Sequence, residues 1–369
     1  MTKSIFFVDE VCPDARENNA GSKAREDVST ILQDMGVTKL EMPYDLEARR
    51  AASVSKRMAI HLTAAHDWNR TLSAVNPGDA VIIQFPLLHH SIMAKKPFAT
   101  ARRRGIKIIL LIHDLDFIRA GAQKSKSIAT RSRIRAEELS LLELASAIIV
   151  HNEQMRNAIV NSCNIDSGKI VSLQIFDYLI EDNAEQTGTL GPKTPVVIAG
   201  NLSDQKAGYI YKLPANAEFN LYGFGYEDAG QANIHYKGEF VPEELPAKLE
   251  GSFGLVWDGE SAQTCTGAYG NYLRVNNPHK TSLYIATGLP VIIWDQAALA
   301  PFVKEHGVGI TVSSLYELPS AVNDISDTHY EQMRKNVNVL SQQLRSGHFT
   351  KQAIERAISL PTPWQGQGG

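Results

Sequence analysis

The feature that most constrains the fold of this chain is an alternation of short apolar runs with amphipathic helical segments, which occurs once in each half of the sequence. The strand-like runs are 4–10, 39–43, 79–86, 107–114, 147–152 and 169–174, followed by 195–201, 218–225, 234–240, 253–258, 289–295 and 308–314. Strands that alternate with helices form parallel sheets with crossover helices. A chain of 369 residues is also too long for one ordinary core. The sequence therefore predicts an α/β protein with two Rossmann-like domains that face each other across a cleft.

A polar stretch separates the two halves. The sequence "EDNAEQTGTLGPKT" at 181–194 has no apolar period and contains turn-forming residues, which is typical of an interdomain linker. We therefore predict a first domain over 1–182, a linker over 183–194 and a second domain over 195–345. The remaining helix and tail, 346–369, can cross back to the first domain.

The cysteines and the apolar segments indicate a cytoplasmic location. Cys12, Cys163 and Cys265 are widely spaced and form no CxxC pair, which favours free thiols in a reducing compartment. The N-terminal apolar run is too short for a signal peptide. No run approaches the roughly 18–20 apolar residues of a membrane span. The net charge of −3 gives no reason to expect a nucleic-acid partner.

One stretch is strongly basic. Residues 95–135 contain twelve lysines and arginines, against only Asp114 and Asp116. Such a stretch is usually a solvated face. It also suits peripheral contact with an anionic membrane surface or with a charged acceptor.

A lysine of unexpected charge opens the helix predicted at 278–287. Asn277 can cap this helix, and Pro278 suits its first position. Lys280 then falls at the positive end of the helix dipole, where a cation costs on the order of 0.3–1 kcal/mol. The residue can be an ordinary surface lysine. It can also mark an anion bound at the helix start, because an anion there would turn the penalty into an attraction.

Two further loops place a lysine at a predicted helix start, each after the first strand of its half. One loop contains Gly21, Ser22 and Lys23, and its counterpart contains Gly200 and Lys206. Ligands of open α/β sheets bind beyond the carboxyl ends of the strands, where helix starts offer N–H groups. The recurrence predicts a bound anion, for which a nucleoside diphosphate is a good candidate.

The common nucleotide-binding motifs are missing from these loops. The sequence has no GxxxxGK[ST] and no GxGxxG in a dinucleotide context. "YGFGYED" at 222–228 contains GxG without the third glycine, which is a weak signal. A sugar-nucleotide epimerase is also disfavoured, because no Tyr-x-x-x-Lys is evident.

Several segments resemble bacterial glycosyltransferases with the GT-B fold. In the second half these are "FGLVWDGES" and "YGNYLRVNNPHKTSLYIATGLPVIIWDQAALAPFVKEHGVGITVSS"; in the first half they are "NNAGSKAREDVSTIL", "GDAVIIQFP" and "IKIILLIHDLD". The resemblance is to a group that includes β-1,6-galactofuranosyltransferases and the accessory glucosyltransferases of streptococcal serine-rich adhesins. It runs from about residue 4 to residue 345, and the Asn-Pro-His-Lys helix start is fairly specific to this group.

The resemblance implies a UDP-sugar donor bound mainly by the second domain, with the first domain on the acceptor side. The implied donor-binding residues are Gly21, Ser22, Lys23, Gly200, Asn201, Lys206, Tyr272, Asn277, Pro278, His279 and Lys280. The Gly200 loop would approach the diphosphate, and the stretch from Tyr272 to Lys280 would hold phosphate oxygens or the donor sugar. Asp258 can contact donor hydroxyls or be an ordinary loop carboxylate. The Lys23 segment would reach across from the first domain. Fixed cations stabilise the charge of a departing diphosphate. Such groups generally replace the metal in GT-B enzymes, so no cofactor is expected.

An inverting transfer needs a general base for the acceptor hydroxyl. Asp9 and Glu10 follow the first strand, whereas His113, Asp114 and Asp116 follow the fourth. The sequence does not rank them. An Asp-x-Asp pair can hold Mn²⁺ or Mg²⁺, or it can cap a strand end. The lysines that already serve the leaving group disfavour the metal, and we favour a third interpretation, in which His113, Asp114 or Asp116 lies on the acceptor side of the cleft.

These observations predict a metal-independent hexosyltransferase that acts on a cell-surface glycan or glycolipid. Galactofuranose as the donor sugar, inversion and a homo-oligomeric state are implied by the resemblance alone. One alternative is a glucosyltransferase that extends a glycan on a glycoprotein. The other is a nucleotide-sugar-binding partner subunit without turnover.

Overall fold

The computed structural model of the chain describes residues 3–11, 20–43, 54–88, 92–122, 127–163, 165–180 and 191–361. The chain divides into two compact units. Unit 1 comprises Met1–Glu17, Val28–Leu173 and Thr350–Gly369, and unit 2 comprises Asn18–Asp27 and Gln174–Phe349. The units thus interleave along the chain, whereas the division proposed from the sequence is linear. Cys12 and most of the predicted linker lie outside the described residues.

Unit 1 is built on a six-stranded sheet with the strand order β2-β1-β3-β4-β5-β6, in which every pair is parallel. Its strands are β1 (Ile5–Val11), β2 (Thr38–Pro43), β3 (Ala80–Phe85), β4 (Lys107–Ile112), β5 (Ala147–Val150) and β6 (Ile170–Ser172). Strands β3, β4 and β5 are buried along their whole length. Continuous apolar runs of this kind are typical of parallel strands with helices on both faces.

Unit 2 contains a second six-stranded parallel sheet, with the order β12-β11-β10-β7-β8-β9. Its strands are β7 (Val196–Ala199), β8 (Phe219–Tyr222), β9 (Ile234–Gly238), β10 (Gly254–Val256), β11 (Val291–Trp294) and β12 (Gly309–Val312). The four central strands, β11, β10, β7 and β8, are completely buried. The twelve predicted strands and the two-domain α/β architecture are therefore confirmed.

Fourteen helices connect the described strands or follow them. They are α1 (Ala20–Asp34), α2 (Val54–Ser73), α3 (Lys95–Arg103), α4 (Asp116–Ala122), α5 (Ile128–Leu144), α6 (Glu153–Ser162), α7 (Asp204–Ala207), α8 (Leu245–Lys248), α9 (Gly267–Tyr272), α10 (His279–Ala286), α11 (Ala300–His306), α12 (Leu318–Asn323), α13 (Asp327–Arg345) and α14 (His348–Ser359). The short helices α4 and α9 were not expected from the sequence. No helix in the described ranges is long and apolar enough to cross a membrane.

Part of the basic stretch at 95–135 caps the ends of helices in unit 1. Arg104 donates to the carbonyls of Leu72 and Val75, where α2 ends, at 3.0 and 2.7 Å. Lys107 donates to carbonyls at the end of α14, and Arg135 donates to the last carbonyl of α6. The last carbonyls of a helix lack intrahelical partners and carry partial negative charge. These three cations therefore stabilise the fold and are not free surface charges.

Candidate functional site

The candidate donor site lies at the carboxyl ends of β7 and β10 in unit 2. The chain proceeds from β7 outward through β8 to β9, and then from β10 outward in the other direction to β12. Strands β7 and β10 are hydrogen-bonded neighbours, so the strand order reverses between them. Ligands of open α/β sheets bind at such a switch point. Gly200 lies in the loop after β7 and Lys206 lies in the short helix α7 that follows; both were predicted from the sequence.

Lys280 forms a buried ion pair at the start of α10. Its ammonium donates to Asp258 Oδ1 at 2.8 Å and to the backbone oxygen of Trp257 at 3.0 Å. Only 15% of the Lys280 side chain and 7% of the Asp258 side chain are exposed. The lysine that opposes the helix dipole therefore has a carboxylate partner after β10, directly beside the switch point.

The Lys206 segment is bonded to the same loop. The backbone N–H of Gly259 donates to the carbonyl of Lys206 at 2.7 Å, and the N–H of Tyr209 donates to the carbonyl of Gly259 at 3.1 Å. The Lys206 ammonium lies 5.5 Å from the centre of the Tyr269 ring. Two of the three predicted lysines, Lys206 and Lys280, are thus both tied to the loop at 257–259.

The turn after β7 depends on glycine. Gly200 has a φ of +119°, which side chains rarely adopt. A Cβ on Gly223 would lie 1.8 Å from the backbone oxygen of Gly200, so only glycine fits there. Asn201 accepts from the N–H of Ser203 at 2.9 Å and holds the turn. The weak GxG signal at 222–228 therefore reflects close packing of two loops.

Helix α10 begins one residue later than predicted. Pro278 is extended and takes the cap position, and the helix begins at His279. Asn277 does not cap the helix; its amide donates to the carbonyl of Gln174 at 3.0 Å. Tyr272 is the last residue of α9 and is buried. Asn277 and Tyr272 are therefore part of the packed structure around the site, and a contact with the donor stays a prediction.

His279, the first residue of α10, has a lowered pKa. The ring bonds to the backbone of Asp177, and burial lowers the pKa of His279 to about 4, with the nearby charge of Lys23 acting in the same direction. Its Nε2 is buried and has no hydrogen-bond partner among the described residues. A direct contact between His279 and the donor stays a prediction.

Lys23 belongs to unit 2 and lies beside His279. Its ammonium is paired with Asp27 and donates to the carbonyl of Leu179 at 2.9 Å. It also lies 5.1 Å from the centre of the Tyr178 ring, which in turn is 4.9 Å from the ring of His279. Burial raises the pKa of Asp27 to about 6, although Lys23 opposes the shift. The cluster joins the start of α1 to the chain around 177–179, and a direct role in holding the donor stays a prediction.

Gly21 and Ser22 lie with Lys23 in the first turn of α1. They were expected in a turn before the helix, but the helix already begins at Ala20. The rest of that loop, 12–19, lies outside the described residues.

In unit 1 the first pair of predicted carboxylates, expected after the first strand, lies within β1 near its carboxyl end. The strand order of this sheet reverses between β1 and β3. Asp9 accepts from the Lys39 ammonium at 2.9 Å, and its side chain is 26% exposed. Glu10 accepts from the backbone N–H of Leu88 with both oxygens, at 3.1 and 3.0 Å. Glu10 thus holds the loop after β3.

The second pair shares one arginine. Arg119 donates to Asp114 at 3.1 Å and to Asp116, which lies at the start of α4. The backbone N–H groups of Asp116 and Phe117 donate to Glu138 at 3.0 and 2.8 Å. Burial raises the pKa of Glu138 to about 8. The Asp-x-Asp pair is therefore built into a network of an arginine and a buried carboxyl group.

His113 is bonded to Gln84, with 2.7 Å between Nε2 and Oε1. Gln84 in turn donates to the hydroxyl of Ser29 at 3.0 Å. The described residues contain no group of three histidine, cysteine or acidic side chains that could hold a metal ion.

The sequence identified candidate site residues but not the residues to which they bond. Asp258 was considered only as a contact for donor hydroxyls or as a loop carboxylate, and Asp27, Tyr178 and Arg119 were not considered. Arg119 follows Asp116 by three residues at a helix start, which is a detectable spacing. Asp27 follows Lys23 by four residues on a predicted helix, which is a second such signal.

Comparison with known proteins identifies the family. The family model described as "Glucosyltransferase 3-like, N-terminal domain" matches residues 7–175, and the one described as "Glucosyltransferase 3-like, C-terminal domain" matches residues 196–357. The β-1,6-galactofuranosyltransferase WbbI of Escherichia coli K12 is 32% identical over 96% of this chain and 98% of its own length. Glucosyltransferase 3 of Streptococcus gordonii is 23% identical over 91% of this chain and 93% of its own.

Solved structures support the fold. The α,α-trehalose 6-phosphate synthase of Burkholderia multivorans matches with a TM-score of 0.60 at 9% identity and covers 97% of both chains. The sucrose-phosphate synthase of Thermosynechococcus elongatus matches with a TM-score of 0.57 at 12% identity, over 98% of this chain and 100% of its own. The predicted GT-B fold and family resemblance are confirmed. The chain belongs to the glucosyltransferase 3-like family and is a glycosyltransferase with the GT-B fold.

Proposed function

We propose that this protein transfers a hexosyl group from a UDP-sugar to a hydroxyl of a glycan acceptor. One observation carries the proposal: Lys206 and Lys280 lie on segments that are both bonded to the loop at 257–259, beside the switch point of the second sheet. Two cations and a helix start at one sheet edge form an environment suited to a diphosphate.

The chemistry of the leaving group requires these cations. Breaking the bond between the sugar and the diphosphate builds negative charge on the phosphate oxygens. Fixed cations and helix N–H groups stabilise this charge without reorganising. We assign this role to Lys206, Lys280 and the start of α10, and we expect transfer without a metal. The pairing of both Asp114 and Asp116 with Arg119 supports this expectation, since it gives the Asp-x-Asp carboxylates a cationic partner within the protein.

For the donor sugar we propose galactofuranose, transferred with inversion. The support is the 32% identity to a β-1,6-galactofuranosyltransferase over nearly the whole chain. A second candidate is glucosyl transfer to a glycan on a glycoprotein, which the 23% identity to a glucosyltransferase 3 favours.

For the general base we propose one of the carboxylates predicted from the sequence. Asp114 is the leading candidate, because its side chain is 37% exposed compared with 15% for Asp116. Asp9, with a 26% exposed side chain, is the second candidate. A base must reach the acceptor hydroxyl, which favours the more accessible carboxylates.

We further propose a cytoplasmic homo-oligomer that contacts the membrane peripherally through the basic stretch. Cations that do not cap helices support the membrane contact, for example Lys95, Lys96 and Arg103, which are exposed on α3. Co-sedimentation with phosphatidylglycerol vesicles, but not with phosphatidylcholine vesicles, is the expected result. Equal partition with both kinds of vesicle would refute membrane contact through charge.

The function is tested with a panel of UDP-hexoses that includes UDP-galactofuranose, with and without EDTA. We expect slow hydrolysis of one member, unchanged by EDTA, and thermal stabilisation by UDP but not by NAD. Stabilisation by UDP without hydrolysis of any member would indicate a binding subunit. Equal responses to UDP and NAD would refute the proposal.

A further inference from the structure

We propose that Asp258 is a positioning residue that holds the Lys280 ammonium in place for the donor diphosphate. The inference deepens the proposed function and rests on it, because it assumes that Lys280 binds phosphate. It starts from the buried pair itself, in which Lys280 donates to Asp258 Oδ1 at 2.8 Å and to the carbonyl of Trp257 at 3.0 Å.

The first argument concerns the freedom of the lysine. A lysine has a flexible four-carbon stem and three N–H groups, and fixing it on ligand binding costs side-chain entropy. Two protein acceptors already fix two of its N–H directions. The described residues provide no further acceptor for Lys280, so its third N–H is left for a ligand. An ammonium held in this way is preorganised, so less of the attraction to phosphate is spent on ordering it.

The second argument concerns burial. An ammonium on a side chain that is only 15% exposed needs a counter-charge, since an isolated buried charge is strongly disfavoured. Asp258 supplies this counter-charge when no donor is bound. Without it, the ammonium is expected to leave the start of α10 for solvent.

The third argument is that the backbone around Asp258 is closely fixed. A Cβ on Gly259, whose φ is +112°, would lie 2.4 Å from the carbonyl oxygen of Thr266. A Cβ on Gly270 would lie 2.8 Å from the carbonyl oxygen of Asp258. The glycines allow this loop to pack tightly, so the carboxylate is held rigidly and can in turn position Lys280.

An opposing effect makes the inference testable. The Asp258 carboxylate repels a diphosphate, and if repulsion were its main effect, its removal would strengthen UDP binding. If Asp258 positions Lys280, its removal weakens UDP binding and leaves the binding of uridine, which has no phosphate, unchanged. If Asp258 instead binds the donor sugar, its removal affects UDP-sugars but not UDP.

The experiment is a double-mutant cycle on the full chain, with UDP and uridine titrated calorimetrically into the wild type, Asp258→Asn, Lys280→Met and the double variant. We expect Asp258→Asn to weaken UDP binding about 5- to 20-fold and Lys280→Met about 10- to 100-fold, with uridine affinity within about twofold throughout. The double variant should bind UDP within about twofold of Lys280→Met. Asp324→Asn, which removes an exposed carboxylate after α12, is the matched control and should bind UDP like the wild type.

Asp258→Glu guards against a folding failure. It keeps the counter-charge but moves the carboxylate by one methylene, and we expect UDP binding at least about threefold weaker with unchanged uridine affinity. Unchanged or tighter UDP binding in Asp258→Asn, or additive losses in the double variant, would overturn the positioning role. If the wild type does not bind UDP, or if Lys280→Met binds UDP with wild-type affinity, the phosphate site of the proposed function is refuted instead.

Discussion

Glu138 makes the stability of unit 1 dependent on pH. Its side chain is buried, with 3% of the residue exposed, and it accepts from two backbone N–H groups at the start of α4. Burial raises its pKa from the ordinary 4.5 to about 8. Above pH 4.5 the folded state therefore keeps a proton that the unfolded state has released. The free energy of unfolding falls as the pH rises, until the folded carboxyl group also ionises near pH 8.

The magnitude follows from the two pKa values. One proton contributes about 1.36 kcal/mol per pH unit where the folded state is protonated and the unfolded state is not. The slope declines to half this value at pH 8. Between pH 6 and pH 8 the free energy of unfolding should therefore fall by roughly 2 kcal/mol because of Glu138.

Glu138→Gln isolates this contribution. The variant keeps one acceptor oxygen and does not ionise, so its stability can differ from that of the wild type at all pH values but should lack this slope. Urea unfolding followed by tryptophan fluorescence at pH 6, 7 and 8 measures the difference. If the free energy of unfolding had the same pH dependence in the wild type and in Glu138→Gln between pH 6 and pH 8, the assignment of the shifted pKa to Glu138 would be refuted.

Three further predictions concern the loops around the site. Gly223→Ala should lower the melting temperature markedly, because its Cβ would lie 1.8 Å from a backbone oxygen. Gly230→Ala is the control, because Gly230 also has a positive φ but lies in open space. Equal melting temperatures of the two variants would contradict the packing argument. Arg119→Gln should lower kcat by about tenfold or more while leaving the UDP affinity unchanged, since it removes the partner of two acceptor-side carboxylates; a loss of UDP affinity alone would count against this. Burial lowers the pKa of His279 to about 4, so we expect the side chain to stay neutral between pH 6 and pH 8. His279→Gln should therefore leave the pH dependence of UDP affinity unchanged in this range. A changed pH dependence, measured by calorimetry, would show that His279 titrates there.

The elements of the fold were predictable because their signals are local. Runs such as "AVIIQF" and "KIILLI" combine continuous apolar character with a length of six residues, which suits buried parallel strands. The lysine at the start of α10 was also identifiable, because its charge opposes the local helix dipole. In both cases the relevant neighbours are within a few residues along the chain.

The partners in the site were not predictable because they are distant in sequence. Asp258 lies 22 residues before Lys280, and Lys23 lies 156 residues before the carbonyl that it contacts at Leu179. Such pairs depend on strand order and on the packing of helices against the sheet. One sequence alone contains no signal that joins them.

The interleaving of the two units limits how relatives of this protein can exchange parts. A chimera joined at the polar stretch after residue 180 would take the first half of the chain from one parent and the second half from another. Lys23 and Asp27, together with residues 174–180, would come with the first half, while most of unit 2 would come with the second half, which also carries residues 350–369 of unit 1. Recombination at this apparent boundary would thus divide both units, and viable chimeras should take residues 18–27 and 174–180 from the parent that supplies the second sheet and residues 350–369 from the other parent.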